Sequence, residues 1–149
     1  MVIKLKTGTV KIKLRPDLAP KHVERITTLA NKGFYNGLKF HRVIQGFMAQ
    51  TGDPQGNGTG GSELPDLQSE FSSAPFNRGV LGMARSASPH SANSQFFIML
   101  AEAPHLNNAY TVFGEVVSGM EHVDQIKLGD GPNGAVSEPD VMISVSVSE

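Results

Sequence analysis

FHRVIQGFMAQ, residues 40–50, sets one arginine and one glutamine among phenylalanine, methionine and isoleucine. It reads as two strand candidates, over residues 40–44 and 47–51, in a chain whose dominant pattern is period-2 alternation. Upstream, Ile3 and Leu5, then Val10, Ile12 and Leu14, alternate with lysine or threonine around a Thr7-Gly8 turn. That is the mark of an antiparallel hairpin with one wet face. Downstream, strand candidates follow over residues 80–84, 95–100 and 111–117, and Val141, Ile143, Val145 and Val147 alternate with Met and Ser at the end of the chain. About eight strands are expected.

Two stretches switch to helical spacing. Residues 20–32 put Val23, Ile26, Leu29 and Ala30 on one stripe, with Pro20 in the first turn and Gly33 as the stop. Ser118-Gly119-Met120-Glu121 has the form of a capping box, followed by Val123 and Ile126 on one face and Gly129 as the stop. Many short strands with two helices imply a closed barrel or a sandwich, because sheet edges must be paired or covered.

At 149 residues the chain is expected to be one domain, long enough to bury roughly 70% of the surface its unfolded form exposes. Thirteen basic against fourteen acidic residues give a net charge of −1. With neither sign in a block, the long-range field that nucleic acid or anionic lipid requires is missing. No cysteine is present, which excludes disulfides, thiolate nucleophiles and Cys-ligated zinc and fits a reducing compartment. Neither an apolar leader nor a stretch of membrane-spanning length is visible. A cytoplasmic monomer is expected, without nucleic-acid or membrane partners.

Residues 52–77 are rich in Gly, Pro and Ser, but Leu64, Leu67, Phe71 and Phe76 argue for an ordered loop, since a free linker has no use for spaced large apolar groups. Residues 85–93 and 129–140 are further polar loops. Gly56-Asn57-Gly58-Thr59-Gly60-Gly61 satisfies G-x-G-x-x-G, yet it opens no helix and no βαβ unit surrounds it, so a dinucleotide site is rejected. The sequon Asn57-Gly58-Thr59 is read as a loop turn. The five histidines show no metal-ligand spacing, and no cofactor is expected. His22 and His122 read as solvated helix residues and His41 as a hydrogen-bonded structural one. No serine occupies a G-x-S-x-G elbow, so hydrolysis lacks a nucleophile.

Residues 40–50, Ser94-Gln95-Phe96-Phe97-Ile98, the Gly52-Asp53-Pro54 turn and Gly58-Thr59-Gly60-Gly61 together resemble the signature of the cyclophilin-type peptidyl-prolyl isomerases, in that family's order. The resemblance runs from about Gly8 to Gly114 and on toward the C-terminus. It implies an eight-stranded antiparallel closed β-barrel with a helix over each end. It also implies catalysis of rotation about X-Pro bonds, acting on proline-containing peptides and unfolded protein clients.

By the same resemblance Arg42 is the catalytic residue, and Phe47, Met48, Gln50, Ala84, Arg85, Phe97, His105, Leu106 and Tyr110 bind substrate. Read without the family, these residues keep ordinary alternatives. A strand arginine is commonly a snorkelling or ion-paired surface group, and Phe-Met and Phe-Phe pairs are commonly core. Gln50 could be a strand-end residue satisfied by a loop, and the Arg85 side chain a solvated charge. Phe96 and Phe97 must point to opposite faces of their strand, so one of them is core. His105 stands at the family's pocket tryptophan, leaving cyclosporin without the indole it uses there. Tyr110 stands at the pocket histidine, which, like Met83-Ala84-Arg85, resembles bacterial members.

The chemistry suits these residues. Prolyl isomerisation breaks no covalent bond and must only lower a barrier of roughly 18–20 kcal/mol set by amide resonance. A guanidinium, charged at any ordinary pH, can donate to the imide nitrogen that regains its lone pair as the bond twists. A competing expectation is a proline-binding module or chaperone that uses the groove without turnover; a purely aromatic groove would suffice for that.

Overall fold

The computed structural model describes residues 1–148. Eight strands form one antiparallel sheet: β1 (Val2–Leu5), β2 (Gly8–Leu14), β3 (Arg42–Ile44), β4 (Met48–Thr51), β5 (Val80–Met83), β6 (Phe96–Met99), β7 (Val112–Ser118) and β8 (Ser144–Ser146). Their order across the sheet is β3-β4-β6-β5-β7-β2-β1-β8. Helix α1 (Pro20–Asn31) follows β2 and α2 (Met120–Val123) follows β7. No helix among the described residues is long and apolar enough to cross a membrane.

The sheet curls without closing fully, which corrects the expected closed barrel. Between β3 and β8 the strand ladder is replaced by isolated bridges, Lys39 to Val141 and Arg42 to Ala135, with single bonds such as Phe40 N–H to the Asp140 carbonyl. A half-barrel laced by loops is the result. The C-terminal alternation fails for a related reason. Gly37 N–H donates to the Met142 carbonyl and Met142 N–H to that of Leu38, but Ile143 N–H turns to Lys4 on β1. The change of partner flips the buried face: Met142 is fully buried while Val141 and Ile143 are exposed, and Val145 is buried again.

Antiparallel partners lie on the same face of a sheet, and the register therefore sorts β3, β4, β6 and β5 into two surfaces. Val43, Ala49, Ile98 and Leu81 are mutual partners facing inward, where they join Phe96, Phe113, Tyr35 and Phe40 in the main core. Full burial of each such side chain is worth about 1.5–3 kcal/mol. Arg42, Gln50, Phe97 and Gly82 form the neighbouring row and face outward. There a second apolar cluster contains Met48, Phe76, Phe97, Met99, Leu106 and Val112.

Helix α1 buries Ile26, Leu29 and Ala30 as its spacing predicts. Its N-terminus lacks a side-chain cap of its own. The Glu70 carboxylate reaches in from the long loop to accept N–H bonds from Lys21 and His22. His22 is accordingly not a solvated residue: it is fully buried, with Nδ1 2.5 Å from Glu70 Oε1. Nor is His41 hydrogen-bonded, since both ring nitrogens are buried without a partner among the described residues. His122 is half-buried, packed where a Cβ on Gly8 would collide with its ring.

The capping box does not form. Ser118 is spent on β7 opposite Lys11, and the cap falls to Gly119 at φ 91°, where a Cβ would lie 2.3 Å from the Thr9 carbonyl. α2 ends at Val123, although Val123 and Ile126 are both buried as expected. In the long loop Leu64 and Leu67 pack on the core and Phe76 is buried, while Phe71 is exposed against expectation.

Candidate active site

Four strands present the outward row, and the loops after β4, β5 and β6 rise around it. Arg42 on β3 is held by two acceptors: Nε donates to the Asn133 carbonyl at 2.8 Å and Nη1 to Gln50 Oε1 at 3.2 Å. Of its five N–H groups, three keep no acceptor among the described residues. They are donors in want of a partner. Gln50 Nε2 in turn donates to Gln95 Oε1 at 2.8 Å, and Gln95 Nε2 to the Gly60 carbonyl at 2.9 Å.

Beside this polar row lies a cavity of about 130 Å³ lined by Arg42, Phe47, Met48, Gln50, Ala84, Arg85, Phe97, Leu106 and Tyr110. Residues far apart in the chain are thus brought together around one hollow. Its floor is built by stacking: Phe97 packs face to face on Phe76, with centroids 5.8 Å apart, and edge-on against Tyr110 at 5.9 Å. Gly82 makes the stack possible, because a Cβ there would come within 2.6 Å of both the Phe76 and the Phe97 rings. His105 is the exception among the expected residues. It sits exposed on a 3₁₀ turn, Pro104–Leu106, with its ring 5.7 Å from that of Phe47 at the rim, outside the cavity lining.

Arg85 is not a solvated charge. Its guanidinium lies 4.5 Å from the Tyr110 ring centroid, a cation–π distance, and its Nε and Nη2 both donate to the Ala109 carbonyl. The side chain thereby ties the 104–110 segment, which supplies Leu106 and Tyr110, to the end of β5. This is a wall built by contact rather than by chain connectivity.

A second cavity, about 390 Å³ and polar, shares Gln50, Ala84 and Arg85 with the first. Residues 58–62, Asp66, Asn93 and Gln95 complete most of it. The sequence flagged its Gly-rich and Ser-rich loops without assigning them to one wall. The organising groups are buried ones. Burial alone would raise Asp53, but N–H donors from Gln55, Gly60, Gly58 and Asn57 outweigh it and hold its carboxylate below the ordinary range. That cradle sets the Gly-rich loop. Arg25 of α1, also buried, donates to the carbonyls of Pro65 and Asn93 and fixes the opposite wall.

Among the described residues neither cavity is lined by a nucleophile with a supporting base, and the smaller one sets an apolar floor beside a fixed cationic donor. Comparison with known proteins agrees. Residues 1–147 match the family model described as cyclophilin type peptidyl-prolyl cis-trans isomerase/CLD. A probable peptidyl-prolyl cis-trans isomerase of Brucella suis is 57% identical, over 99% of this chain and 81% of its own length. The peptidyl-prolyl cis-trans isomerase-like 3 of Gallus gallus is 43% identical over 80% of this chain and 76% of its own. Among solved structures, a Cryptosporidium parvum cyclophilin type isomerase, crystallised in the presence of the dipeptide Ala-Pro, superposes with a TM-score of 0.91. It is 27% identical and covers 99% of this chain and 98% of its own. A cyclophilin from Hirschia baltica gives 0.85 over 96% of this chain and 71% of its own. The chain belongs to the cyclophilin-type peptidyl-prolyl cis-trans isomerases and acts on proline-containing peptides and proteins.

Proposed function

We propose that Arg42 catalyses isomerisation by donating a hydrogen bond to the imide nitrogen of a substrate whose proline ring occupies the cavity over Phe97 and Met48. The observation that carries this reading is the pairing of a half-satisfied guanidinium with an apolar hollow of about 130 Å³ on one sheet face. As the C–N bond twists, conjugation is lost and the nitrogen becomes an acceptor. A fixed donor then binds the twisted state better than either planar one.

The apolar floor acts in the same direction, because a dry pocket disfavours the more polar planar amide. Gln50, held by Arg42 on one side and Gln95 on the other, keeps one amide N–H for the substrate backbone. No group needs to transfer a proton. A hundred-thousandfold acceleration requires about 7 kcal/mol, of which one preorganised donor supplies roughly 3–4. Proline-bearing segments of unfolded chains are the natural substrates of so shallow and open a groove.

Steady-state cis-to-trans conversion of an X-Pro tetrapeptide by wild type and Arg42→Ala tests this. Turnover per folded molecule should fall about 100-fold or more, the usual cost of removing one such donor. Equal rates for the two proteins would defeat the mechanism and favour a binding module.

A further inference from the structure

Arg42, Gln50, Gln95 and the Gly60 carbonyl form one directed chain of hydrogen bonds. Its two ends have no choice of role: a guanidinium only donates and a backbone carbonyl only accepts. Both side-chain amides between them must therefore point the same way, each with its oxygen toward Arg42 and its nitrogen toward Gly60. Turning either one would set donor against donor or acceptor against acceptor, and turning both would do so at the two ends.

We propose that Gln95 is a positioning residue for the reaction: by accepting from Gln50 Nε2 it fixes the Gln50 amide with its oxygen toward Arg42, and so aims the arginine fork. Gln95 itself stands just before β6, where its carbonyl pairs with Ala84 N–H, and its side chain borders the polar cavity rather than the apolar one. It acts on the reacting bond only through Gln50 and Arg42. The chain also ties the Gly-rich loop, whose shape Asp53 sets, to the donor on β3.

The inference rests on the role proposed for Arg42, and three substitutions separate the two. Gln95→Glu keeps an acceptor facing Gln50 Nε2 but gives up the bond to the Gly60 carbonyl, Gln95→Leu removes both, and Gln95→Lys presents a donor that turns the Gln50 amide and sets its nitrogen against Arg42. On a short X-Pro peptide, kcat should stay within about threefold of wild type for Glu. It should fall about fivefold for Leu, the worth of one neutral hydrogen bond, and further for Lys, with KM little changed for Glu and Leu. The Gln50 side-chain amide resonance should shift for Leu and Lys and hold for Glu. Were only the added charge at work, leucine would match wild type. A wild-type kcat for Gln95→Leu, or a Gln95→Glu as slow as leucine at equal thermal stability, overturns the proposal. If Arg42→Ala is itself fully active, it is the proposed role of Arg42 that fails instead.

Discussion

The inward and outward faces of β3, β4, β6 and β5 are made by alternate residues of the same short strands, yet they do opposite work. Inward, Val43, Ala49, Ile98 and Leu81 are sealed, each 1% exposed or less, and hold the fold. Outward, Arg42, Gln50 and Phe97 leave an open hollow with unspent donors. The difference teaches that a rigid sheet lets one set of residues define the structure while its neighbours, placed by the same register, stay unsatisfied for a substrate.

Phe96 and Phe97 put that contrast to the sharpest trial, being adjacent and chemically identical. Phe96→Ala, which opens a hole in the sealed face, should cost about 3–5 kcal/mol of stability while leaving turnover per folded molecule near wild type. Phe97→Ala borders open space that water can fill, and should cost roughly half as much while lowering turnover at least tenfold. Chemical denaturation beside the peptide assay reads both, and similar losses of activity in the two variants would erase the distinction between the faces. Gly82→Ala should come next. Its new Cβ pushes on the rings of Phe76 and Phe97, so overpacking of about 1–3 kcal/mol is expected together with a higher KM as the Phe97 ring is forced into the cavity. A crystal structure of that variant with an unmoved Phe97 would contradict this.

A smaller effect concerns acid. Burial, only partly opposed by Glu70, pushes His22 below the ordinary histidine value of 6.5, and burial does the same to His41 against the pull of Asp53. The unfolded chain therefore takes up protons first. Stability is whole above about pH 6.5 and is lost as pH falls through the lower folded values. Glu70, which burial would raise, is held low by His22 and by the N–H groups it caps, and it adds a further loss at lower pH. Thermal melting should be flat from pH 8 to 7 and fall below 6.5, less steeply in His22→Gln; identical slopes would remove His22 from the account. Smallest of all, turnover at constant folded fraction should be nearly flat from pH 6 to 8, because the proposed mechanism uses no acid or base. A sigmoid in that range would implicate a titrating group.

Much of the outward face was legible in the sequence. Alternation marked the strands, and the resemblance carried by residues 40–50 and 94–98 pointed to the residues that line the apolar hollow. What the sequence hid was decided by partners distant in the chain. His22 read as solvated because Glu70, which buries it, lies 48 residues away. Ser118 looked like a cap because its pairing with Lys11 on β2 is invisible locally. The alternation over residues 141–147 concealed a change of partner from Leu38 to β1 that inverts the buried face. Gln95 was named within the 94–98 stretch but given no role, because its bonds run to Gln50 and Gly60, 45 and 35 residues off. His105 was assigned to the site by resemblance alone, and its ring stops at Phe47, at the rim, without lining the hollow.

The most direct measurement is exchange NMR of an Ala-Pro peptide bound to Arg42→Ala, which reads affinity and on-enzyme interconversion in one sample. Donation to the twisted state alone requires that the peptide still bind within about threefold of wild type while its cis–trans exchange slows about 100-fold. Unchanged exchange at full occupancy, or a loss confined to binding, would contradict it.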